Sequence, residues 1–408
     1  MSHAPGDMPN TRPSARKLKV IRVVTASYVV PWHLANTLKR ISADFEVTVV
    51  GQGVSAYRDT WPGIRWIDLD LNRKVSLLSD LRALFSLCRI FIAIKPDIVH
   101  SIMPKAGLLS ALAGFLCRVP VRLHTFTGQV WATKQGMARR FYYLIDRLIN
   151  ALNTVCLTDS PSQSAFLREH GFSYEGGALP VLSKGSLSGV DLARFDRSTV
   201  SPRADELRKQ LGLRESDFVF AFIARKTRDK GAIDMLRAFA RIVATAANAR
   251  LLFVGPDESD GEIAKILGAD KTLAKAVLEI GQVENHELYL AISNVLCLPS
   301  HREGFGTIVI NAAALGVPAI GSRIPGLVDA IEDGHTGVLF PESDIDALAD
   351  CMRDFLEHPG RYEQMGVNAS RRVAESFSAD VLYGALRDRY LDLAGRHGVM
   401  RRVREGGQ

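Results

Sequence analysis

The chain has 408 residues, of which 47% are hydrophobic and 23% are charged, and its formal net charge is +7. This length is too great for one ordinary core, so we expect two domains of about 150–200 residues. Basic charge of this size fits nucleic acid, an anionic membrane surface or phosphorylated small molecules as a partner. No zinc-finger spacing, basic zipper or aromatic RNA-binding motif accompanies the charge, which argues against nucleic acid.

The chain contains 5 cysteines, and each stands alone inside an apolar run. They are Cys88, Cys117, Cys156, Cys297 and Cys351. Their odd number and the lack of close pairs argue against a disulfide framework and against a zinc site. We therefore interpret them as small buried side chains in a reducing compartment.

The first residues are rich in proline, serine and basic side chains, which predicts a disordered tail over residues 1–16. Segment 17–24 begins like a signal peptide, but Arg22 interrupts its apolar stretch and no small-residue cleavage site follows. We interpret it as a first β-strand. The apolar run at 106–117 is too short to span a bilayer. We therefore expect a cytoplasmic protein, either free or bound peripherally to the inner face of the cytoplasmic membrane.

Short β-branched runs then alternate with longer helical segments, which is typical of βαβ units around parallel sheets. In the first half the predicted strands are 20–25, 45–50, 98–102, 121–125, 154–158 and 179–182. The predicted helices are 31–42, 77–94, 105–117, 137–150 and 162–170. Segments 184–191 and 197–206 are rich in Gly, Ser, Pro and charge, which predicts a linker.

A second alternation begins near residue 218. Its predicted strands are 218–224, 250–254, 277–280, 295–298, 318–321 and 337–340. Its predicted helices are 233–246, 260–267, 284–292, 306–315, 326–332, 345–357 and 379–394. Two such halves predict an α/β protein with two doubly wound, Rossmann-like domains that face a central cleft. Ligands of such sheets bind at the carboxyl ends of the strands.

We place the domain boundaries where the composition changes. The N-terminal domain is expected at 17–190 and the C-terminal domain at 191–378. Residues 379–408 are expected to form a last helix that crosses back to the N-terminal domain, followed by a basic tail.

The most informative segment follows the predicted strand at 295–298. Gly304 and Gly306 allow backbone amides to approach a ligand, and the helix that follows presents its N-terminus to anions. That arrangement suits a diphosphate with a sugar beside it, and Glu303 is placed to accept hydrogen bonds from sugar hydroxyls. The alternative is an ordinary strand-to-helix turn with an exposed acid.

A second polar loop follows the first strand of the C-terminal half. In 225–230, four of six residues are cations. An ordinary loop often carries one or two charges, so a pair that neutralises a diphosphate explains this cluster better. Each preorganised hydrogen-bond donor that faces a developing charge stabilises the transition state by roughly 3–4 kcal/mol.

Together these segments resemble glycosyltransferase family 4. The resemblance rests on Arg225, on Lys230-Gly231, and on the Glu303-Gly-Phe-Gly run eight positions before residue 311. It extends over nearly the whole chain and is strongest from 222 to 340. It implies a GT-B fold, retention of anomeric configuration, and no requirement for a metal or another cofactor.

The resemblance also implies roles for individual residues. Arg225 and Lys230 would bind the donor diphosphate, and Glu303 would bind the donor sugar. The other implied donor-binding residues are Gly304, Phe305, Gly306, Thr307 and Asn311. The N-terminal domain would then hold the acceptor, and the C-terminal domain the nucleotide-sugar.

Asn311 is where the chain departs from the family, which usually has a second glutamate there that binds the ribose hydroxyls. An amide donates as well as accepts hydrogen bonds, but it lacks the charge of a carboxylate. The departure affects the ribose contact more than the chemistry. The alternative is that Asn311 caps or packs its helix.

His124, on the predicted strand at 121–125, resembles the family histidine near the point of sugar transfer. A lone histidine on a strand is more often structural, but Thr125, Thr127 and Gly128 beside it favour a catalytic role. The Gly-Gly pair that the family usually shows after its first strand is replaced here by 25–28, Thr-Ala-Ser-Tyr.

The predicted helix at 137–150 carries an apolar stripe beside three arginines. The stripe contains Phe141, Leu144, Ile145 and Leu148, and the arginines are 139, 140 and 147. Such helices either lie on anionic lipid or pack in a core. We favour the core, which is the commoner case, with a peripheral membrane contact as the alternative.

The resemblance predicts transfer of a hexose or N-acetylhexosamine from a nucleotide-sugar, with UDP favoured, to a glycan acceptor. Its expected acceptor is linked to polyprenyl diphosphate, in cell-surface polysaccharide synthesis. We favour front-face departure of the nucleotide, because the sequence offers no clear carboxylate nucleophile in the N-terminal loops. The alternatives are a nucleotide-sugar 2-epimerase of GT-B fold, a phosphorylase, and a degenerate subunit without activity.

Overall fold

The computed structural model describes residues 16–71 and 76–400, so the predicted tail before Arg16 and the tail from residue 401 lie outside the described residues. The described chain forms two α/β domains, each around a six-stranded sheet. Strands buried on both faces can be apolar throughout. In Phe218–Ile223, for example, every residue after Phe218 is buried.

The N-terminal sheet is parallel throughout, with strand order β3-β2-β1-β4-β5-β6. Its strands are β1 (Lys19–Ala26), β2 (Glu46–Gln52), β3 (Arg65–Asp68), β4 (Ile98–Ile102), β5 (Val121–Phe126) and β6 (Val155–Thr158). The chain moves outward from β1 to β3 and then returns to β4 on the other side of β1. The strand order therefore reverses between β1 and β4, where such sheets bind ligands.

Helices cover both faces of this sheet. They are α1 (Ala35–Asp44), α2 (Leu77–Ile94), α3 (Pro104–Leu116), α4 (Gly136–Leu152) and α5 (Pro161–Glu169). Leu38 and Ile41 of α1 belong to one apolar core, whereas Leu87 of α2 and Leu109 of α3 belong to another. Each face of the sheet thus has its own core.

The C-terminal domain begins with α6 (Arg197–Gln210) and repeats the doubly wound plan. Its sheet is parallel, with strand order β12-β11-β10-β7-β8-β9. The strands are β7 (Phe218–Ile223), β8 (Ala249–Val254), β9 (Val277–Ile280), β10 (Val295–Leu298), β11 (Ala319–Ser322) and β12 (Gly337–Phe340). The order reverses between β7 and β10.

The remaining helices pack on both faces of the second sheet, except for the last one. They are α7 (Ala232–Val243), α8 (Glu262–Ala269), α9 (Lys271–Ala276), α10 (His286–Ala291), α11 (Thr307–Ala314), α12 (Leu327–Ala330), α13 (Ile345–Glu357), α14 (Pro359–Ser376) and α15 (Ala379–Arg396).

Helix α15 returns to the N-terminal domain. Leu382, Leu386 and Tyr390 lie in the same apolar core as α1. The buried Tyr390 hydroxyl accepts a hydrogen bond from Arg22 at 3.2 Å and lies 2.7 Å from Nδ1 of His100. Helix α15 is therefore held against β1 and β4 by a buried polar network as well as by apolar contacts.

Two predictions of secondary structure were wrong. Segment 179–182 is not a strand, because only Val181 bridges to β6. Segment 197–206 is not linker but part of α6, whose N-cap Asp196 accepts a hydrogen bond from the Ser198 amide. The short strand β3, the short helix α9 and the long helix α14 were not predicted.

The preferred core position of the α4 stripe was wrong for three of its four residues. Phe141 is 51% exposed, Leu144 is 63% exposed and Leu148 is exposed as well, whereas Ile145 is half-buried and packs against the core. Asp146, the one carboxylate of α4, points instead into the domain and accepts a hydrogen bond from Nε1 of Trp131 at 2.9 Å. Burial raises the pKa of Asp146 to about 7.

Across the described ranges, no helix is both long enough and apolar enough to cross a membrane.

Candidate active site

The two sheets point their carboxyl ends at each other, and the loops there touch. Gln163, at the start of α5, donates a hydrogen bond from Nε2 to the Glu303 carbonyl at 2.8 Å. Arg302 donates from Nη1 to the Gly128 carbonyl at 3.3 Å. Ser162 donates from its amide to Oδ2 of Asp329 at 2.8 Å. The loop after β10 therefore lies directly between the domains.

Lys230 and Glu303 meet at this point. Nζ of Lys230 lies 2.6 Å from Oε1 of Glu303, and Ser300 donates to the same oxygen at 2.9 Å. Gly231 makes this approach possible: its φ is +70°, and a Cβ there would collide with the Pro299 carbonyl. The structure thus brings together the two residues that the sequence assigns to the diphosphate and to the sugar.

The four cations of the β7 loop have different surroundings. Nη1 of Arg225 pairs with Glu258 at 2.7 Å, at the edge of the cleft. Lys226 is buried, with Nζ 5.0 Å from the centre of the Phe253 ring. Arg228 is exposed and pairs with Glu262. Only Lys230 contacts Glu303, so the loop does not act as one cluster of four cations.

The glycines after Glu303 allow close packing, Gly304 against the N-terminal domain and Gly306 within the C-terminal domain. A Cβ at Gly304 would collide with the Asp159 carboxylate, and one at Gly306, whose φ is +83°, would collide with Leu327. The Phe305 ring is buried 5.2 Å from the Phe377 ring, so only the Phe305 backbone can reach a ligand. Thr307 begins α11 and is half-buried at the cleft.

Asn311 lies further along α11 and is half-buried. Its Nδ2 is 3.1 Å from Nε2 of His286, the first residue of α10. His286 follows the loop after β9 and was not among the predicted site residues.

His124 does not reach the cleft, so its predicted position at the point of sugar transfer is corrected here. Its ring is fully buried, with Nδ1 3.0 Å from Ser101 Oγ and the ring 4.7 Å from Phe126. A Cβ at Gly107 of α3 would collide with it. Burial lowers the pKa of His124 to about 3. Side chains alternate along a strand, and His124 falls on the side that faces α3.

Thr127 and Gly128 take the place in the cleft that was expected of His124. A Cβ at Gly128 would come within 3.1 Å of the Gly304 amide nitrogen, and one at Gly304 within 2.9 Å of the Thr127 carbonyl carbon. The pattern Thr-Gly directly after a strand was the available signal, because glycine there permits a close approach of two loops.

A second histidine, His33, lies in the cleft and was missed. It belongs to one π-helical turn, Val30–Leu34, which follows β1. Its Nδ1 is buried and has no hydrogen-bond partner among the described residues. Burial lowers the pKa of His33 to about 4, the charge of Lys230 lowers it further, and that of Glu303 opposes this.

A buried carboxyl group, Asp159, was also missed. It follows β6 and contacts the Gly304 loop, and its Oδ1 has no hydrogen-bond partner within the described part of the chain. Burial raises the pKa of Asp159 well above its ordinary value, and the charges of Glu303 and Asp329 raise it further. Burial therefore favours the protonated form of Asp159. Its signal in the sequence was an acid directly after a buried strand.

Unpaired buried polar atoms surround the Lys230–Glu303 pair. Besides those of His33 and Asp159, they include Oε1 of Gln129, Oε1 of Gln163 and Nε of Arg302. Buried polar groups normally have a partner. Such a set, with a cation and a carboxylate at its centre, suits a ligand that has many hydroxyl and phosphate oxygens.

Two family models match the chain, one for each domain. The model described as "Glycosyl transferase 4-like domain" matches residues 27–176. The model described as "Glycosyl transferases group 1" matches residues 203–372, which include the Arg225, Lys230 and Glu303 loops.

Two curated relatives and one solved structure illustrate the similarity. The capsular polysaccharide biosynthesis glycosyltransferase CapM of Staphylococcus aureus is 29% identical over 79% of this chain and 83% of its own length. The UDP-Gal:alpha-D-GlcNAc-diphosphoundecaprenol alpha-1,3-galactosyltransferase of Escherichia coli is 25% identical over 79% and 82%. The Anabaena protein HepE in complex with UDP superposes with a TM-score of 0.74, at 15% identity, over 92% of this chain and 100% of its own.

Proposed function

This chain belongs to glycosyltransferase family 4 and has the GT-B fold, and from this premise we propose that it transfers a hexose or N-acetylhexosamine from a UDP-sugar to a lipid-linked glycan. The acceptor would be linked to polyprenyl diphosphate, in the synthesis of a cell-surface polysaccharide. The names of the two relatives support this, because one acts in capsule synthesis and the other on a diphosphoundecaprenol acceptor. The observation that carries the proposal is the contact of Lys230 with Glu303, in loops of the C-terminal domain that face the N-terminal domain.

The donor would exchange this ion pair for contacts of its own. Lys230 would turn to the diphosphate, whose negative charge grows as the bond to the sugar breaks. Glu303 would then accept hydrogen bonds from hydroxyls of the donor sugar. Arg225, paired with the exposed Glu258 at the rim, would join Lys230 on the phosphate oxygens.

Retention of configuration would follow the front-face route. The bond between the anomeric carbon and the phosphate oxygen breaks, the acceptor oxygen bonds to the same face of that carbon, and the acceptor proton passes to the departing phosphate. The double-displacement route needs an ionised carboxylate as nucleophile. Asp159 lies nearby, but burial raises its pKa and so disfavours the ionised form that a nucleophile needs.

The test is nucleotide release from a panel of UDP-, GDP- and dTDP-sugars, with and without a lipid extract as acceptor. We expect release from a UDP-sugar that depends on the extract. Conversion of the donor without any acceptor would indicate the 2-epimerase instead. Binding without turnover of any donor would indicate the subunit without activity.

We also propose that no metal ion takes part. Within 16–71 and 76–400, no group of three or more His, Cys, Asp or Glu side chains is placed to hold one. Transfer is expected to proceed at an unchanged rate in excess EDTA, because Lys230 and Arg225 supply the charge that a cation would supply. A complete loss of activity that magnesium or manganese restores would contradict this.

The exposed stripe of α4 would rest on an anionic membrane at the cytoplasmic face, where the acceptor lies. Phe141 and Leu144 would enter the headgroup region, and Arg140 and Arg147 would meet lipid phosphates.

The protein is therefore expected to sediment with anionic liposomes and to be released by high salt, because salt screens surface charge over about 10 Å at roughly 0.1 M. Replacing Phe141 and Leu144 by serine should weaken sedimentation without a change in thermal stability. Val367 of α14 is exposed in the other domain and serves as the matched control. Replacing it by serine should leave sedimentation with liposomes unchanged. Sedimentation that does not depend on salt or on lipid charge would contradict the contact of α4 with an anionic membrane.

A further inference from the structure

His286 and Asn311 form a hydrogen-bonded pair on the wall of the cleft. Nδ2 of Asn311 lies 3.1 Å from Nε2 of His286. His286 begins α10, which packs against α11, the helix that carries Asn311. The pair therefore connects the loop after β9 with the helix that follows the Glu303 loop.

The contact with Asn311 fixes which nitrogen of the His286 ring carries the proton. Nδ2 of Asn311 is an amide nitrogen, which only donates, so Nε2 of His286 accepts through its lone pair. The proton of the neutral ring is therefore on Nδ1. The amide is thereby held with Nδ2 toward the histidine and Oδ1 on its other side.

The surroundings of His286 keep its ring neutral. Burial lowers its pKa to about 4, the charge of Arg194 lowers it further, and Glu287 opposes this. Arg194 is itself paired with Glu287 at 2.7 Å. The Phe195 ring packs against the imidazole with 5.5 Å between the ring centres. At neutral pH, His286 can therefore act as a permanent acceptor for the amide.

We propose that His286 is a positioning residue that holds Asn311 with Oδ1 free to accept a hydrogen bond from a ribose hydroxyl of the donor. Oδ1 has no hydrogen-bond partner among the residues that the structure describes. The inference rests on the proposed function, because it takes the donor to be a nucleotide-sugar. A neutral histidine–asparagine pair here performs the task for which the family uses a carboxylate.

The test compares UDP with 2′,3′-dideoxy-UDP, which lacks both ribose hydroxyls, by calorimetric titration. The wild-type protein is expected to bind UDP about fivefold more tightly than the dideoxy analogue, the effect of one neutral hydrogen bond. Asn311→Ala and His286→Phe should both abolish this preference. His286→Gln should restore most of it, because its amide oxygen can replace Nε2 as the acceptor. His335→Phe, at an exposed histidine of the same domain, is the control and should keep the wild-type preference.

A second measurement follows the proton on His286 directly. In Asn311→Asp a carboxylate faces Nε2, so the pKa of His286 should rise, which NMR titration of the ring can detect. A preference for UDP that survives in His286→Phe would overturn the positioning role, and so would its absence in the wild type. Failure of the wild-type protein to bind either nucleotide would instead contradict the proposed donor.

Discussion

Replacing Lys230 by alanine is expected to lower turnover by about a hundredfold or more, which corresponds to about 3 kcal/mol of lost charge stabilisation. Lys230 lies 2.6 Å from Glu303, in the loop that packs between the two domains. A cation held there would oppose the charge that develops on the departing diphosphate. Arg225→Ala should show a loss of similar size. The measurement is kcat and KM with a saturating acceptor.

Arg228→Ala is the matched control for Lys230→Ala. Arg228 lies in the same loop, but its side chain is 79% exposed and pairs with Glu262. It should therefore retain full turnover. Thermal unfolding should show both variants folded, since Glu303 keeps the Ser300 hydroxyl as a partner when Lys230 is removed. Full activity of Lys230→Ala would contradict the assignment of Lys230 to the diphosphate site.

The architecture could be predicted because the signals for it are local. Buried parallel strands appear as short apolar runs, and β7 and β8 are long examples. The donor loops could be predicted for the same reason. The glycines and charged residues of each loop are contiguous in the sequence, and each loop follows such a strand.

The elements that were missed lacked such local signals. Helix α6 contains Pro202 in its second turn together with many charges, which is the composition of a linker. Only Val200 and Ala204, buried in the C-terminal core, show that it is a packed helix. Segment 179–182 is apolar because it packs on the N-terminal core, yet it makes only one bridge to β6.

The wall of the site contributed by the N-terminal domain could not be predicted, because it forms only when distant segments meet. His33 approaches Glu303 from the turn after β1, whereas Asp159 and Gln163 approach it from the connection between β6 and α5. Neither segment is close to the Glu303 loop in the sequence. The prediction for His124 failed for a different reason. A strand places neighbouring side chains on opposite faces, and the sequence alone did not show which face the cleft uses.

His100 is expected to make the protein less stable in acid. Its ring is buried between Tyr390 and Thr125, 2.7 Å and 2.8 Å from their hydroxyl oxygens. Burial lowers its pKa well below the ordinary 6.5, and the charge of Arg22 lowers it further. Below pH 6.5, His100 binds a proton more readily in the unfolded chain than in the folded chain. The unfolding free energy therefore falls as the pH falls.

The size of this loss follows from the same linkage. At no more than about 1.36 kcal/mol per pH unit, His100 alone should lower the unfolding free energy by up to about 2 kcal/mol between pH 6.5 and pH 5. Asp146 and Asp159, whose pKa values burial raises, act in the opposite direction over this range. The total slope of the wild type therefore does not isolate His100, and a variant is needed for comparison.

His100→Gln provides that comparison, because its amide can still bond to Tyr390 and Thr125 but does not titrate. The variant should be less stable at pH 7, since glutamine fills the space of the ring poorly. Its unfolding free energy should fall less than that of the wild type between pH 6.5 and pH 5, by up to about 2 kcal/mol. Urea unfolding at half-unit pH steps measures both slopes. Parallel slopes would mean that His100 accepts a proton in the folded protein, and that the buried link between α15 and the N-terminal sheet tolerates a charge.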